Sequence, residues 1–167
     1  AIDSAIGDAK IIAEDLGIVS PAVRELLAET GYPGMNIIEF AFDGGPTNSH
    51  LPHNYKPNSL VYGGTHDNET VVGYFSSRSA ADLKYAYKYL GVTKKSEIPA
   101  AVLRAAYASV AAIAIFQVQD ILELGNEARM NTPSTVGDNW KWRMLKGSLT
   151  KKKAKELKEL AEFYARL

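Results

Sequence analysis

The chain has 167 residues, 46% of them apolar and 23% charged, enough to bury one core, and nothing in it reads as disordered. Lys plus Arg and Asp plus Glu both number 19, so the formal charge is zero and no electrostatic case arises for a nucleic-acid or anionic-membrane partner; a small neutral substrate suits such a surface better. Cysteine is absent, which removes thiol nucleophiles, disulfides and Cys-ligated zinc and fits a reducing compartment, so a cytoplasmic location is expected, and no apolar run approaches the roughly 20 residues that span a bilayer.

The opening AIDSAIGDAK lacks the layout of a signal peptide and reads as the tail of a helix with its exit loop, the sign of a chain cut from something longer. Ile11 to Ala13 then read as a short buried strand that ends in two adjacent carboxylates, Glu14 and Asp15. Acidic residues are poor strand formers and are almost never buried unpaired, so this pair marks either a strand leaving the core or a site that needs acid. Ser20-Pro21 opens a helix with serine as N-cap and proline in the first turn; Val23, Leu26 and Leu27 give its core stripe and Gly31 ends it. Met35 to Phe42 form the next strand candidate, closed by Asp43-Gly44-Gly45-Pro46 and followed by the polar loop SHLPHNYKPNS. Leu60 to Gly63 are a third strand, ending in Thr65-His66-Asp67-Asn68-Glu69, after which Thr70 to Phe75 turn into a helix capped by Asp67 or Asn68.

A helix over Ser79 to Leu90 is stopped by Gly91. From Pro99 to about Phe116 an alanine-rich run carries Val102, Ala106, Val110 and Ile113 at helical spacing and reads as one buried helix, and Val118 to Leu124 are a fourth strand or a short helix. Residues 125–146 look irregular, with Trp140 and Trp142 marking a packed loop. Thr150 caps a last amphipathic helix with Ala154, Leu157, Leu160, Ala161 and Tyr164 on one stripe and its lysines on a solvated face. This alternation is that of an α/β architecture with a parallel sheet. Carboxylates recur at strand C-terminal ends, where a (β/α)₈ barrel builds its active site, yet whole barrels take about 250 residues.

By itself Glu14-Asp15 reads equally as a helix cap, and His66-Asp67-Asn68-Glu69 has neither an established metal-ligand spacing nor a serine in a nucleophile-elbow setting. Together the two clusters sit at the ends of alternate strands, and paired carboxylates on neighbouring barrel strands are what glycosidic-bond chemistry needs. Tyr85, Tyr87 and Tyr89 alternate within a helical segment, which spreads them around it and favours packing over a sugar platform.

Six motifs in one order, Glu14-Asp15-Leu16-Gly17, Pro33-Gly34-Met35, Phe40-Ala41-Phe42-Asp43, Leu51-Pro52-His53-Asn54-Tyr55, Gly64-Thr65-His66-Asp67-Asn68-Glu69-Thr70 and Asn139-Trp140-Lys141-Trp142-Arg143, resemble the second half of a 4-α-glucanotransferase. That family, also called amylomaltase or disproportionating enzyme, belongs to the α-amylase superfamily. The resemblance implies one partial domain over residues 1–167, the C-terminal part, about half, of a (β/α)₈ TIM-type barrel with additional C-terminal helices. It implies retaining transfer of α-1,4-glucan segments to an acceptor 4-hydroxyl, with maltooligosaccharides as partners and no metal or organic cofactor, so the histidines His50 and His53 are not expected to hold a metal.

Residue by residue, the resemblance makes Glu14 the acid/base, Asp67 the transition-state stabiliser, His66 a binder of the same sugar, and Asp15 and Asn131 residues near the substrate. An acid of that kind has to hold its proton at neutral pH while its partner stays ionised, so one environment must treat two carboxylates differently. The nucleophile of the family sits in an Arg-x-Asp segment on the preceding strand; no such segment occurs here before residue 10, and Asp3 and Asp8 precede a strand rather than end one. The chain alone is therefore expected to be inactive. Ser134 stands where the family pattern has glycine after Asn-x-Pro, and Asp138 precedes Asn139. The alternatives are a hydrolase of the same superfamily and a non-catalytic structural or binding half-barrel, and an open sheet with two bare edges is expected to self-associate.

Overall fold

The structure, a computed structural model, describes residues 4, 5, 7 and 9–167, so half of the helix tail expected over residues 1–10, with Asp3 and Asp8, lies outside the described residues. Three parallel strands form one sheet in the order β1, β2, β3: β1 (Gly34–Ile37), β2 (Ser59–Tyr62) and β3 (Ile113–Ile115). Met35 pairs with Leu60 and Leu60 with Ile113, which makes β2 the central strand. Its residues Leu60 and Val61 are fully buried, as a central parallel strand requires.

The helices are α1 (Pro21–Thr30), α2 (Val71–Ser76), α3 (Ala80–Leu90), α4 (Ile98–Ala108), α5 (Val118–Ile121) and α6 (Lys151–Phe163). Their ends follow local chemistry. Ser20 Oγ accepts from Val23 N–H and Gly31 closes α1 at φ 67°; Ser79 and Asp82 form a reciprocal capping box on α3; Thr150 Oγ accepts from Lys153 N–H at the start of α6. Between β2 and β3, α2, α3 and α4 pack into the core through Val71, Phe75, Leu83, Ala86, Ile98, Val102 and Ala106. The tyrosines of α3 are part of that packing: Tyr85 and Tyr89 both meet the edge of Phe42, at 6.5 and 6.0 Å between centroids.

Several expectations are corrected. The segment Ile11–Ala13 has no regular structure, and Ile12 is 45% exposed; a single backbone bond, Ala13 N–H to Pro33 O, holds it beside the start of β1, too little to lay down a ladder. Nor does the stripe of α1 reach a core, since Val23 and Leu26 are exposed. β1 stops at Ile37, where the chain turns into a 3₁₀ element (Ile38–Phe40) and Ala41 N–H donates to Ile38 O. The cap of α2 is Thr70, whose Oγ1 accepts from Gly73 N–H, rather than Asp67 or Asn68.

The alanine-rich run is not one helix. α4 ends at Ala108, and Val110 and Ile113 are exposed, the latter in β3. Two contacts explain the break. Ala112 N–H is shared between Pro57 O and Ser59 O, drawing the chain to the edge of β2. Arg166, just beyond α6, donates from Nε to Tyr107 O, from Nη1 to Ala111 O, and from Nη2 to Ala106 O and Ser109 O, satisfying the carbonyls that the end of α4 leaves open. The Val118–Leu124 segment resolves as the short helix α5.

Arg166→Ala is expected to lower the unfolding free energy by about 2–3 kcal/mol, because it strands several partly buried carbonyls at once. Arg166→Lys should recover little, since a single ammonium cannot reproduce the fork. Urea denaturation followed by circular dichroism checks this; a lysine variant as stable as the wild type would contradict it.

Candidate active site

Beyond β2 the chain passes through Gly63 and Gly64 into a turn that carries Thr65, His66, Asp67 and Asn68. Asn68 Oδ1 accepts from both the backbone N–H and the hydroxyl of Thr65, at 2.9 and 2.7 Å, and Thr65 Oγ1 accepts from Asp67 N–H at 3.3 Å. Short polar side chains closing on their own backbone in this way fix a tight turn without a helix. Asp67 is thereby presented, half exposed, with its Oδ1 accepting from Asn131 Nδ2 at 2.7 Å and lying 3.3 Å from His66 Nε2. Arg129 ties the two ends of this arrangement together, donating from Nη2 to Asp67 O and from Nε to Asn131 O, both at 2.8 Å.

Trp140 covers the imidazole of His66, with ring centroids 5.1 Å apart. It does so from the left-handed region at φ 63°, rare for a bulky residue, and is held there by its own N–H donating to Met130 O and by Arg143 Nη1 donating to Trp140 O. Ser134, in the position where the family pattern has glycine, also has a positive φ, 62°, which accounts for the preference for glycine there.

A cavity of about 620 Å³ opens beside this turn. Glu14, Leu16 and Gly17 line it together with His66 and Asp67, and Phe40, Tyr62 and Phe116 supply apolar wall. The volume suits a small molecule that offers both hydroxyls and apolar ring faces. Asp15 and Asn131 are not among its lining residues. Asn131 acts on Asp67, whereas Asp15 is drawn to the sheet: its Oδ1 accepts from Met35 N–H at 2.7 Å, and its carboxylate lies so close to Gly34 that a Cβ there would come within 2.6 Å of Oδ2.

Beneath the turn lie two carboxyl groups that the sequence reading did not single out. Glu39 is 1% exposed and Asp120, on α5, is largely buried; Glu39 Oε1 and Asp120 Oδ2 are buried without a hydrogen-bond partner. Burial pushes the Glu39 carboxyl up to about 9, helped by the nearby charges of Asp120 and Glu69 and opposed by Arg129 and Arg78. Burial also pushes Asp120 up, to about 6, against the hydrogen bond its Oδ1 accepts from Val71 N–H. Glu39 was legible by the same rule that marked Glu14, an acid inside an apolar run (IIEF), while Asp120 and Arg129 have no comparable signal.

Among the described residues, no three His, Cys, Asp or Glu side chains are grouped as a metal would need. His50 is instead a backbone acceptor, its Nδ1 taking Ile37 N–H at 3.2 Å, and burial lowers its affinity for a proton. Also among the described residues, no helix is long and apolar enough to cross a membrane.

An α/β fold in which two carboxylates line one cavity with polar and apolar walls is an arrangement that glycosidic-bond chemistry can use. Residues 1–150 match the family described as 4-alpha-glucanotransferase, and the chain belongs to that family. It is 43% identical over 170 residues to the chloroplastic/amyloplastic 4-alpha-glucanotransferase of Arabidopsis thaliana, covering all of this chain and 30% of the relative. With the 4-alpha-glucanotransferase of Clostridium butyricum it shares 43% identity over 166 residues, covering 99% of this chain and 34% of the other. Among solved structures, the amylomaltase of Streptococcus agalactiae in complex with acarbose superposes with a TM-score of 0.92 at 42% identity, over 99% of this chain and 34% of that one. The chain thus spans about a third of the length of the relatives it matches.

The protonation of Glu39 has a measurable consequence. In the unfolded chain a glutamate releases its proton near 4.5, whereas in the folded chain Glu39 keeps it until about 9, so folding takes up a proton between these values. Stability is therefore highest below the lower value and falls as pH rises through the window, at up to about 1.4 kcal/mol per pH unit. Asp120 contributes only up to about 6, and His50, whose lowered proton affinity acts in the opposite sense, only up to its ordinary value of 6.5, so the slope from there to 9 is assigned to Glu39. Glu39→Gln is expected to remove that slope and to be the more stable protein above neutral pH in urea titrations. A variant with the wild-type slope would show that Glu39 is ionised in the fold.

Proposed function

We propose that this chain is the C-terminal part of a 4-α-glucanotransferase, one partial catalytic domain that supplies about half of a (β/α)₈ barrel and its terminal helices to an enzyme of starch and maltodextrin metabolism. What supports this reading is that Glu14 and Asp67, far apart in the chain, line one cavity, within a family of that activity. Glu14 donates its proton to the glycosidic oxygen as the bond to the anomeric carbon breaks; a nucleophile from another segment takes that carbon into a covalent glucosyl-enzyme. Glu14 then removes the proton from the 4-hydroxyl of an acceptor α-1,4-glucan, which displaces the enzyme and restores the α-linkage. Asp67, as a carboxylate, favours the oxocarbenium-like charge between these steps, with His66 beside it at the cavity; Asn131 acts through its bond to Asp67, and Asp15 from behind, at the start of β1. The relative solved with acarbose was caught with a sugar-like ligand, in keeping with an oligosaccharide substrate here. A cytoplasmic setting belongs to the same reading, since a chain without cysteine fits a reducing compartment.

Given maltotriose, the full-length enzyme that contains this chain should produce glucose together with longer oligomers. Shortening alone would make it a hydrolase. Glu14→Gln and Asp67→Asn should each lower kcat by at least about 10²–10³-fold, the usual weight of a general acid or a charge-stabilising group.

The chain by itself should be inert, because the carboxylate nucleophile of the family has no counterpart in it. It should also self-associate: β1 and β3 are open edges, Ile113 and Ile115 of β3 are exposed, and so are Ile18, Val23 and Leu26 beside and along α1. Light scattering should return a mass well above the 18.2 kDa of one chain. A monodisperse 18.2 kDa species would contradict this.

A further inference from the structure

We infer that Glu39 is a positioning residue for glucosyl transfer: its buried side chain is the support on which the Gly64–Asp67 turn rests, and it fixes where Asp67 stands relative to the sugar. This rests on the reading of Asp67 as the group that stabilises the transition state. The geometry is direct. Glu39 follows β1, and its backbone N–H donates to Gly63 O at 3.1 Å, so its main chain already grips the strand end that feeds the turn. Its side chain then runs beneath the next residue, so close that a Cβ on Gly64 would stand 2.5 Å from Glu39 Oε1 and 3.0 Å from its carboxyl carbon. At neighbouring Gly63 a Cβ would stand 3.3 Å from Val71 Cγ2 and 3.4 Å from Asp120 Oδ2, close to ordinary contact, and the other oxygen of Asp120 takes the first free N–H of α2, at Val71. The strand end thus has a carboxyl group beside each of its two glycines, one from the 3₁₀ turn after β1 and one from α5.

A carboxyl group can serve as such a support only while uncharged. Asp120 and Glu69 face it with like charge, Arg129 and Arg78 are the cations within reach, and Tyr74 lies in the same field. Arg129 is already committed to the carbonyls of Asp67 and Asn131, so the guanidinium nearest the turn is held by the turn's own backbone. Neutral Glu39 therefore fills space and accepts the packing of Gly64 without pulling Arg129 away from Asp67. Glutamine has the same length and no charge to acquire, whereas alanine leaves the turn unsupported.

The full-length enzyme with Glu39→Gln and with Glu39→Ala, assayed for maltotriose disproportionation, tests this. Because Asp67 acts on the transition state, its displacement should appear in kcat and not in KM: alanine is expected to lower kcat about tenfold or more with KM within about twofold, and glutamine to stay within about threefold of wild type in both. Should the alanine variant fail to fold, Glu39→Asp, which draws the carboxyl back from Gly64 by one methylene, takes its place with the same expectation. A folded alanine or aspartate variant with wild-type kcat, or a glutamine variant that falls as far as alanine, overturns the inference. Asp67→Asn in the same assay separates the two levels: if it retains wild-type kcat, the underlying reading of the site has failed; if it loses turnover while the Glu39 variants do not differ from wild type, only the role of Glu39 has.

Discussion

At the end of β2 the chain passes against two buried carboxyl groups, and at Gly64 only a residue without a Cβ leaves room for one of them. Glu39 lies against Gly64 and Asp120 against Gly63. This packing sets the point at which the strand ends and the turn begins, and through it the position of everything in Thr65-His66-Asp67-Asn68. Burying two acids in contact with a strand is costly unless they are neutral, and the lifted proton affinities of both groups are the form that cost takes. A core built to stability alone would place apolar side chains there.

The turn itself carries little regular structure, so its shape depends on side chains that bond to backbone. Asn68 closes on Thr65, Arg129 joins the carbonyls of Asp67 and Asn131, and Asn131 reaches the Asp67 carboxylate. Each such bond contributes only about 1 kcal/mol, somewhat more where a charge is involved. Acting on three residues of one turn, Thr65, Asp67 and Asn68, they restrain an exposed aspartate, which is what catalysis by a charged group asks of a loop. Trp140, held in a left-handed conformation over His66, extends the same restriction to the imidazole.

Much of this was legible in the sequence. Most helix ends were legible because their chemistry is local: Ser20-Pro21, Ser79, Gly91 and Thr150 act through neighbours three or four residues away, whereas at α2 the cap fell on Thr70 and not on the nearby Asp67 or Asn68. The site motifs were legible for the same reason, since Thr65 to Asn68 form a self-contained turn. What sequence could not decide depends on distant partners. The apolar run 99–116 has the periodicity of one helix, but Arg166 and the backbone carbonyls of Pro57 and Ser59 divide it into a helix and a strand. Val23 and Leu26 read as core and are exposed, because periodicity reports which face is apolar and not what covers it. Asp120 shows its role only once α5 has folded against Gly63.

The proposed function requires Glu14 and Asp67, which line one cavity, to address one sugar ring. A crystal structure of the full-length enzyme with a bound maltooligosaccharide tests that most directly. A glucosyl unit should lie in the cavity with Asp67 on its hydroxyls, the Glu14 carboxyl at the linkage oxygen and Trp140 still behind His66. An oligosaccharide bound elsewhere, leaving either carboxylate out of contact with the ring, would contradict it.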